Sequence, residues 1–175
     1  RLLADYPAHT LHETIPDFHN TVDRFHELQR AIQADPLGRA AGVQKEISFA
    51  LEREELAHVL CDLQQRGELP LRVTHNDTKL NNVMIDEKTG RGICVIDLDT
   101  VMPGLAVNDF GDSIRFGAST AAEDERDLSK VSCDLRLYEV YVKGFMEGCG
   151  GALTDREMEM LPMGAILMTY ECGIR

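Results

Sequence analysis

One stretch of the chain decides the fold, and it reads Thr74-His75-Asn76-Asp77-Thr78-Lys79-Leu80-Asn81-Asn82. Runs of β-favouring residues flank this polar stretch, at 71–73 before it and at 82–85 and 93–96 after it. The last two runs are joined by residues 87–92, which are rich in turn formers, so they are predicted to pair as a β-hairpin. We therefore expect a short strand, a polar loop and a hairpin in succession.

The rest of the chain has the three- and four-residue spacing of apolar side chains that is typical of amphipathic helices. Helices are predicted at residues 16–35, 43–65, 108–116 and 132–147, with a further helix beginning at the capping-box sequence Thr154-Asp155-Arg156-Glu157. Residues 118–127 are small and charged, and they are predicted to form a loop. The expected fold class is α+β, mainly helical with one small hairpin.

A second acidic motif, Asp97-Leu98-Asp99, follows the last β-favouring run directly. Asn82 enters the first strand of the predicted hairpin and Asp97 leaves the second. Because antiparallel pairing returns the chain to its starting end, the two side chains are expected at the same end of the ribbon. An amide oxygen and a carboxylate are hard ligands that suit magnesium. Asp99 is either a second metal ligand or an exposed carboxylate at the strand end.

The pattern His-x-Asp-x-x-x-x-Asn, followed by a second aspartate after a hairpin, matches the spacing of a kinase catalytic loop and its metal-binding aspartate. In this interpretation Asp77 orients the acceptor hydroxyl and takes its proton, while Asn82 and Asp97 hold magnesium. Lys79 is placed to offset γ-phosphate charge and is predicted to contact the nucleotide. His75 is expected to brace the loop.

Three charged residues further along, Asp109, Asp112 and Arg115, recur at intervals of three and share a helical face. They are predicted to form an ion pair that supports the catalytic loop. Direct contact of Asp109 or Arg115 with the substrate is the alternative, and it rests on fold analogy.

The formal net charge of −12 and a pI near 4.8 argue against a surface that binds nucleic acid or anionic lipid. The five cysteines are widely spaced and form no CxxC pair, which favours reduced thiols in a cytoplasmic protein over a disulfide framework or a zinc site. The sequence shows neither a membrane-spanning stretch nor a secretion signal. A small-molecule partner fits best.

The stretches 75–82 and 95–99 resemble the catalytic and metal motifs of the aminoglycoside phosphotransferase and choline kinase superfamily. Residues 97–104 and 108–115 are most similar to its bacterial N-acetylhexosamine 1-kinase branch. The resemblance implies a two-lobed kinase fold that uses ATP and magnesium to phosphorylate a hydroxyl of a small molecule. In this branch that hydroxyl is the anomeric one of an N-acetylhexosamine. Asn76 stands where the family usually has Gly, and Leu98 where Phe is common.

Before residue 70 the sequence has no strand with a Gly-rich turn, and no lysine placed as in the nucleotide-covering lobe of a kinase. Residues 1–175 are therefore expected to be a fragment, the C-terminal catalytic lobe of a longer enzyme, with negligible activity alone. Two other functions remain open: a kinase for an aminoglycoside, choline or homoserine, and a pseudokinase that binds without catalysis. The oligomeric state is left open.

Overall fold

The computed structural model describes residues 3–175 and has the α+β architecture that the sequence predicts. This part of the chain contains six α-helices: α1 (Thr21–Ala34), α2 (Gln44–Leu51), α3 (Glu54–Gln65), α4 (Ala106–Gly117), α5 (Leu135–Cys149) and α6 (Asp155–Ile174). It contains four short strands: β1 (Arg72–Thr74), β2 (Val83–Ile85), β3 (Gly92–Val95) and β4 (Met102–Gly104). The predicted fold class, mainly helical with a small hairpin, is confirmed.

Side-chain caps decide where several helices begin, because they satisfy amide groups that the first turn leaves free. The side chain of Asn20 accepts from the Asp23 amide, so α1 begins later than the apolar spacing suggests. Asp134 caps α5 in the same way. The predicted capping box is confirmed at α6, where Thr154 and Glu157 bond each other's backbone amides.

The single helix predicted over residues 43–65 is wrong, because the structure breaks it into α2 and α3. The Arg53 amide donates to Ala50 O, and the Phe49 carbonyl accepts from the Arg53 guanidinium instead of from the Arg53 amide. The guanidinium also lies over the Phe49 ring, 3.5 Å from its centroid. Arg53 thus supplies a side-chain partner for the carbonyl that the break leaves free.

The strands form two separate two-stranded antiparallel sheets. The predicted hairpin is confirmed as β2 and β3, with Val83 opposite Val95. β1 pairs instead with β4, which the sequence analysis did not predict because Met102-Pro103-Gly104 lacks alternation and contains two residues that strands disfavour. β4 brings the segment after Asp97 back beside the start of the catalytic loop.

The core lies between α4 and α6, whose backbones approach closely. Gly111 of α4 faces the Gly164 backbone of α6, and Gly164 faces the Val107 carbonyl, so a Cβ at either glycine would overlap backbone atoms. The buried core extends from these two helices to α1 and α3, and its large side chains include Phe25, Leu60, Phe110, Leu161 and Leu167. The glycines therefore let α4, which lies under the catalytic loop, sit directly on the long C-terminal helix.

No helix within residues 3–175 combines the length and the apolar character needed to cross a membrane.

Candidate active site

The catalytic loop, residues 75–82, connects β1 to β2 and begins with an uncommon backbone conformation. Asn76 has a φ of 64°, in the left-handed region that asparagine tolerates better than most residues. Its side chain is buried, accepting from the Thr74 hydroxyl at 2.9 Å and donating to the Thr100 carbonyl at 3.0 Å. Asparagine in place of the family's usual glycine thus fits the turn and also fastens it to the segment after Asp97.

The loop brings the predicted catalytic residues together around Asp77. The Asn82 amide nitrogen donates to both the backbone carbonyl and Oδ2 of Asp77, each at 2.8 Å. Lys79 Nζ lies 3.3 Å from the same Oδ2. These two contacts fix the direction of a carboxylate that remains about a quarter exposed, with a side-chain exposure of 26%. Asp77 is therefore oriented yet partly open to solvent.

His75 links the loop to the hairpin. Its Nε2 lies 3.0 Å from the Ile96 carbonyl, and its Nδ1 accepts from the Asp77 amide at 3.3 Å. A neutral ring protonated on Nε2 satisfies both contacts. His75 thereby ties the start of the loop to the end of β3.

Asp97 and Asp99 lie at the exposed end of the hairpin. The Ile96 amide donates to the Asn82 carbonyl at 2.9 Å, which places Asp97 one residue beyond the partner of Asn82. Asp97 has a φ of 63°. The hydrogen bond and the like charge of Asp99 raise the pKa of Asp97 above its usual range, Asp77 adds to this, and Lys79 opposes it. Several carboxylates are therefore crowded at this end of the ribbon.

The donor set fits a magnesium ion that arrives with a nucleotide. Within the described residues, no group of three or more His, Cys, Asp and Glu side chains is arranged to hold a metal ion by itself. Magnesium, however, often takes only one or two carboxylates, with water and substrate phosphates as its other ligands. The side-chain amide nitrogen of Asn82 donates to Asp77, so the amide oxygen is left available to a cation. A divalent ion would also relieve the crowding of Asp97 and Asp99.

Asp109 and Arg115 have protein partners of their own. The two carboxylate oxygens of Asp109 accept from the backbone amides of His75, at 2.9 Å, and Asn76, at 2.8 Å. Desolvation raises the pKa of Asp109, although these two amide hydrogen bonds act in the opposite direction. Arg115 pairs with Asp112 and Glu123. These contacts favour a supporting role over substrate contact. The support differs from the predicted ion pair, because it comes from Asp109 accepting hydrogen bonds from loop amides, whereas Asp112 and Arg115 pair with each other.

Several residues that hold the loop were missed by the sequence analysis. Thr100 donates to the His75 carbonyl at 2.6 Å, and Thr78 donates to the Asp109 carbonyl. His19 lies 2.9 Å from the Asn76 carbonyl and 2.9 Å from Glu171. No local pattern marks these residues, because their partners lie 25 to 152 positions away.

The comparison with family models agrees with this geometry. The model described as the phosphotransferase enzyme family matches residues 1–136, which include the catalytic loop, the hairpin and α4. The predicted superfamily is thereby confirmed, and with it the fold class, a mainly helical lobe of a kinase-like fold with a small hairpin. The chain belongs to the phosphotransferase enzyme family.

Proposed function

We propose that this chain is the catalytic lobe of an ATP- and magnesium-dependent kinase that phosphorylates an N-acetylhexosamine at its anomeric hydroxyl. The observation that supports a kinase most directly is the orientation of Asp77 by Asn82 and Lys79, at 2.8 and 3.3 Å. A carboxylate held in this way can align a hydroxyl and accept its proton as the bond to phosphorus forms. The same contacts keep a cation beside the position where negative charge develops.

The chain's own residues divide the work in this proposal. Asp77 takes the proton of the acceptor hydroxyl, and Lys79 offsets phosphate charge. Asn82, Asp97 and Asp99 would hold magnesium through oxygen atoms, and the bound ion would neutralise charge on the phosphoryl group. His75 and Asp109 hold the loop backbone in place and do not touch reacting groups.

The sugar is proposed from the similarity of residues 97–104 and 108–115 to the N-acetylhexosamine 1-kinase branch. In the structure these segments surround the catalytic loop, since Thr100 and Asp109 both bond its backbone. The similarity to this branch therefore lies next to the candidate site and not on a remote part of the surface. The contacts themselves are compatible with any small-molecule alcohol as acceptor.

We also propose that a separate nucleotide-covering lobe, outside residues 1–175, completes the enzyme. The structure describes no strand before β1, at residue 72, within residues 3–175. Groups that position the nucleotide phosphates in kinases come from a strand and a Gly-rich loop of that lobe. The chain on its own is therefore expected to have negligible activity.

The test is ATP consumption by the full-length protein with magnesium and a panel of N-acetylhexosamines, aminoglycosides, choline and homoserine. Turnover with an N-acetylhexosamine is expected, and Asp77→Asn should lower kcat by about 100-fold or more, since a positioned general base contributes at least that much. Asp62→Asn on the exposed side of α3 is the matched control and should leave kcat unchanged.

Each outcome of this test is decisive for one part of the proposal. Turnover with only another alcohol would support the kinase activity and overturn the proposed sugar substrate. Silence across the panel, with ATP binding retained, would favour a non-catalytic binding module. Turnover by residues 1–175 alone at an ordinary kinase rate would overturn the proposed two-lobed arrangement.

A further inference from the structure

His19, just before α1, is largely enclosed between the catalytic loop and the C-terminal helix. Its Nδ1 lies 2.9 Å from Glu171 Oε1 of α6, and its Nε2 lies 2.9 Å from the carbonyl oxygen of Asn76. The side-chain exposure of His19 is 9% and that of Glu171 is 1%. Both ring nitrogens therefore face oxygen atoms in a site with little access to water.

The two partners determine how many protons this contact needs. A backbone carbonyl only accepts hydrogen bonds, and so does an ionised carboxylate. A neutral imidazole carries one N–H and can satisfy one of the two, whereas the imidazolium satisfies both. With one proton fewer, either the bond to Glu171 or the bond to the Asn76 carbonyl is lost.

The bond to the Asn76 carbonyl matters because that oxygen belongs to the peptide group that leads into Asp77. The amide of the same peptide group donates to His75 Nδ1 at 3.3 Å. The preceding amide, that of Asn76, is held by Asp109 at 2.8 Å. His19 thus holds the carbonyl side of a peptide plane whose orientation sets the direction of the Asp77 side chain.

The charged groups around the ring favour its protonated form. Glu171 faces it from α6 and Asp109 acts on it from α4. Arg175, whose Nη1 lies 3.6 Å from Glu171 Oε1, is a cation and acts in the opposite direction. Burial by itself would lower the pKa of His19, but the hydrogen bond and charge of Glu171, the Asn76 carbonyl and Asp109 together raise it above its ordinary value. Glu171 Oε2 is buried without a hydrogen-bond partner among residues 3–175, so His19 is a main source of compensation for this carboxylate.

We propose that His19 is a positioning residue for Asp77, and that it works as a doubly protonated ring bridging Glu171 to the Asn76 carbonyl. The effect on turnover rests on the proposed function, in which Asp77 is the base. The bridge itself does not. Because a raised pKa means that the proton is held below that pKa and lost above it, the bridge weakens as pH rises.

Two variants separate this role from simple packing. His19→Phe removes both contacts and should lower kcat by about 10- to 100-fold at all pH values, as expected when a reacting group is misplaced by a fraction of an ångström to an ångström. In Glu171→Gln, the new amide can donate to Nδ1 of a neutral ring while Nε2–H still donates to Asn76. That variant should lose less activity than His19→Phe, and it should lack the alkaline fall of kcat that the wild type is expected to show.

His58→Phe is the matched control, since His58 also faces an acid, Asp62, at 4.0 Å but on an exposed face of α3. It should keep both the kcat and the pH profile of the wild type. A His19→Phe variant with wild-type kcat would overturn the proposal. An unchanged alkaline fall in Glu171→Gln would overturn the protonated bridge.

NMR of the full-length protein gives a readout that does not depend on turnover. The His19 ring should titrate at a higher pH in the wild type than in Glu171→Gln, and the Asp77 amide resonance should shift with the same midpoint. If the His19 ring of the wild type loses its proton at or below the pH where an ordinary histidine does, the proposal is overturned, even in an active enzyme. If the wild type turns over no substrate but these titrations appear as expected, the kinase proposal fails and the bridge stands.

Discussion

The catalytic loop and the hairpin that follows it differ in how the protein holds them. The loop lies on the core: Asn76 and Asn82 are buried, and Asp109 of α4 bonds two of its backbone amides. The hairpin projects from the core, and every residue of β3 is exposed, including Ile93 at 63%. Asp77 is therefore positioned by the folded core, whereas the end of the hairpin that carries Asp97 is exposed and is held by its strand pairing and by the contacts of His75 with Ile96 and of Asn76 with Thr100.

This difference has a consequence for how the site is assembled. Asp77 is set by contacts that form when the chain folds, so its orientation costs little at the moment of reaction. Asp97 and Asp99 are crowded carboxylates at the exposed end of the ribbon, and a bound cation would add order to their side chains. Substitutions under the loop should therefore affect stability and activity together, and substitutions on the hairpin face should affect stability little.

The largest effect is expected at the contact that places α4 under the loop. Gly111→Ala adds a methyl group where Gly164 backbone atoms already lie, and backbone cannot move aside as a flexible side chain can. We expect the free energy of unfolding to fall by about 3 kcal/mol, which is at the upper end for overpacking. Chemical denaturation of wild type and variant measures it.

The matched control for this substitution is Gly144→Ala in α5, where an added Cβ meets nothing within 4 Å. Alanine is a better helix former than glycine, so this control should gain about 0.5–1 kcal/mol. A Gly111→Ala variant that is as stable as the wild type would show that α4 can move away from α6 without loss, and the loop would then be less firmly supported than we infer.

A smaller effect on stability is expected at Asp109, which acts on the loop directly. Asp109→Asn keeps one acceptor oxygen but turns an N–H2 group toward the amide of His75 or Asn76. Leaving one buried donor unsatisfied costs about 1–3 kcal/mol, and kcat should fall as well because the loop backbone is released. Asp124→Asn, on an exposed loop, is the control and should change neither quantity.

A fall in stability without any fall in kcat would contradict the link between Asp109 and the direction of Asp77. A change in KM for the acceptor alone, with kcat intact, would instead revive direct contact of Asp109 with the substrate. Denaturation and steady-state kinetics on the same preparations of the full-length protein distinguish these outcomes.

The sequence predicts that the candidate site residues lie close together because the information is local. His75, Asp77 and Asn82 lie within eight positions, and a turn-forming segment predicts the hairpin that returns the chain to Asp97. Antiparallel pairing places Asn82 and Asp97 at the same end of the hairpin, as predicted, and the Ile96 to Asn82 hydrogen bond agrees with this.

The supports of the loop are set by tertiary contacts that no local pattern encodes. His19 reaches a carbonyl 57 positions away, and β4 forms from a Pro- and Gly-containing segment because β1 offers it a partner. The break between α2 and α3 is similar, since the apolar spacing continues through Arg53 while the hydrogen bonds do not. Sequence periodicity identifies which faces are buried. The contacts between elements decide where a helix breaks or where an unexpected strand forms.

The smallest effect is expected on the hairpin face, where Ile93→Thr tests the other half of the comparison. Threonine keeps the β-branched shape that suits a strand, and an exposed isoleucine gives up little buried area. We expect the free energy of unfolding to change by no more than about 0.5 kcal/mol, as is usual for surface substitutions.

Val107→Thr, the same kind of polar replacement at a position with 0% exposure, is the matched buried control and should destabilise by about 1–3 kcal/mol. Both variants are best measured twice, in residues 1–175 and in the full-length protein. If Ile93→Thr is neutral in the shorter chain but costs as much as Val107→Thr in the longer one, the β3 face is packed against the proposed nucleotide-covering lobe. If it is neutral in both, the β3 face stays open to solvent in the full-length protein, and the end that carries Asp97 is held by strand pairing, by the contact of His75 with Ile96 and by any ligand it binds, without help from that lobe.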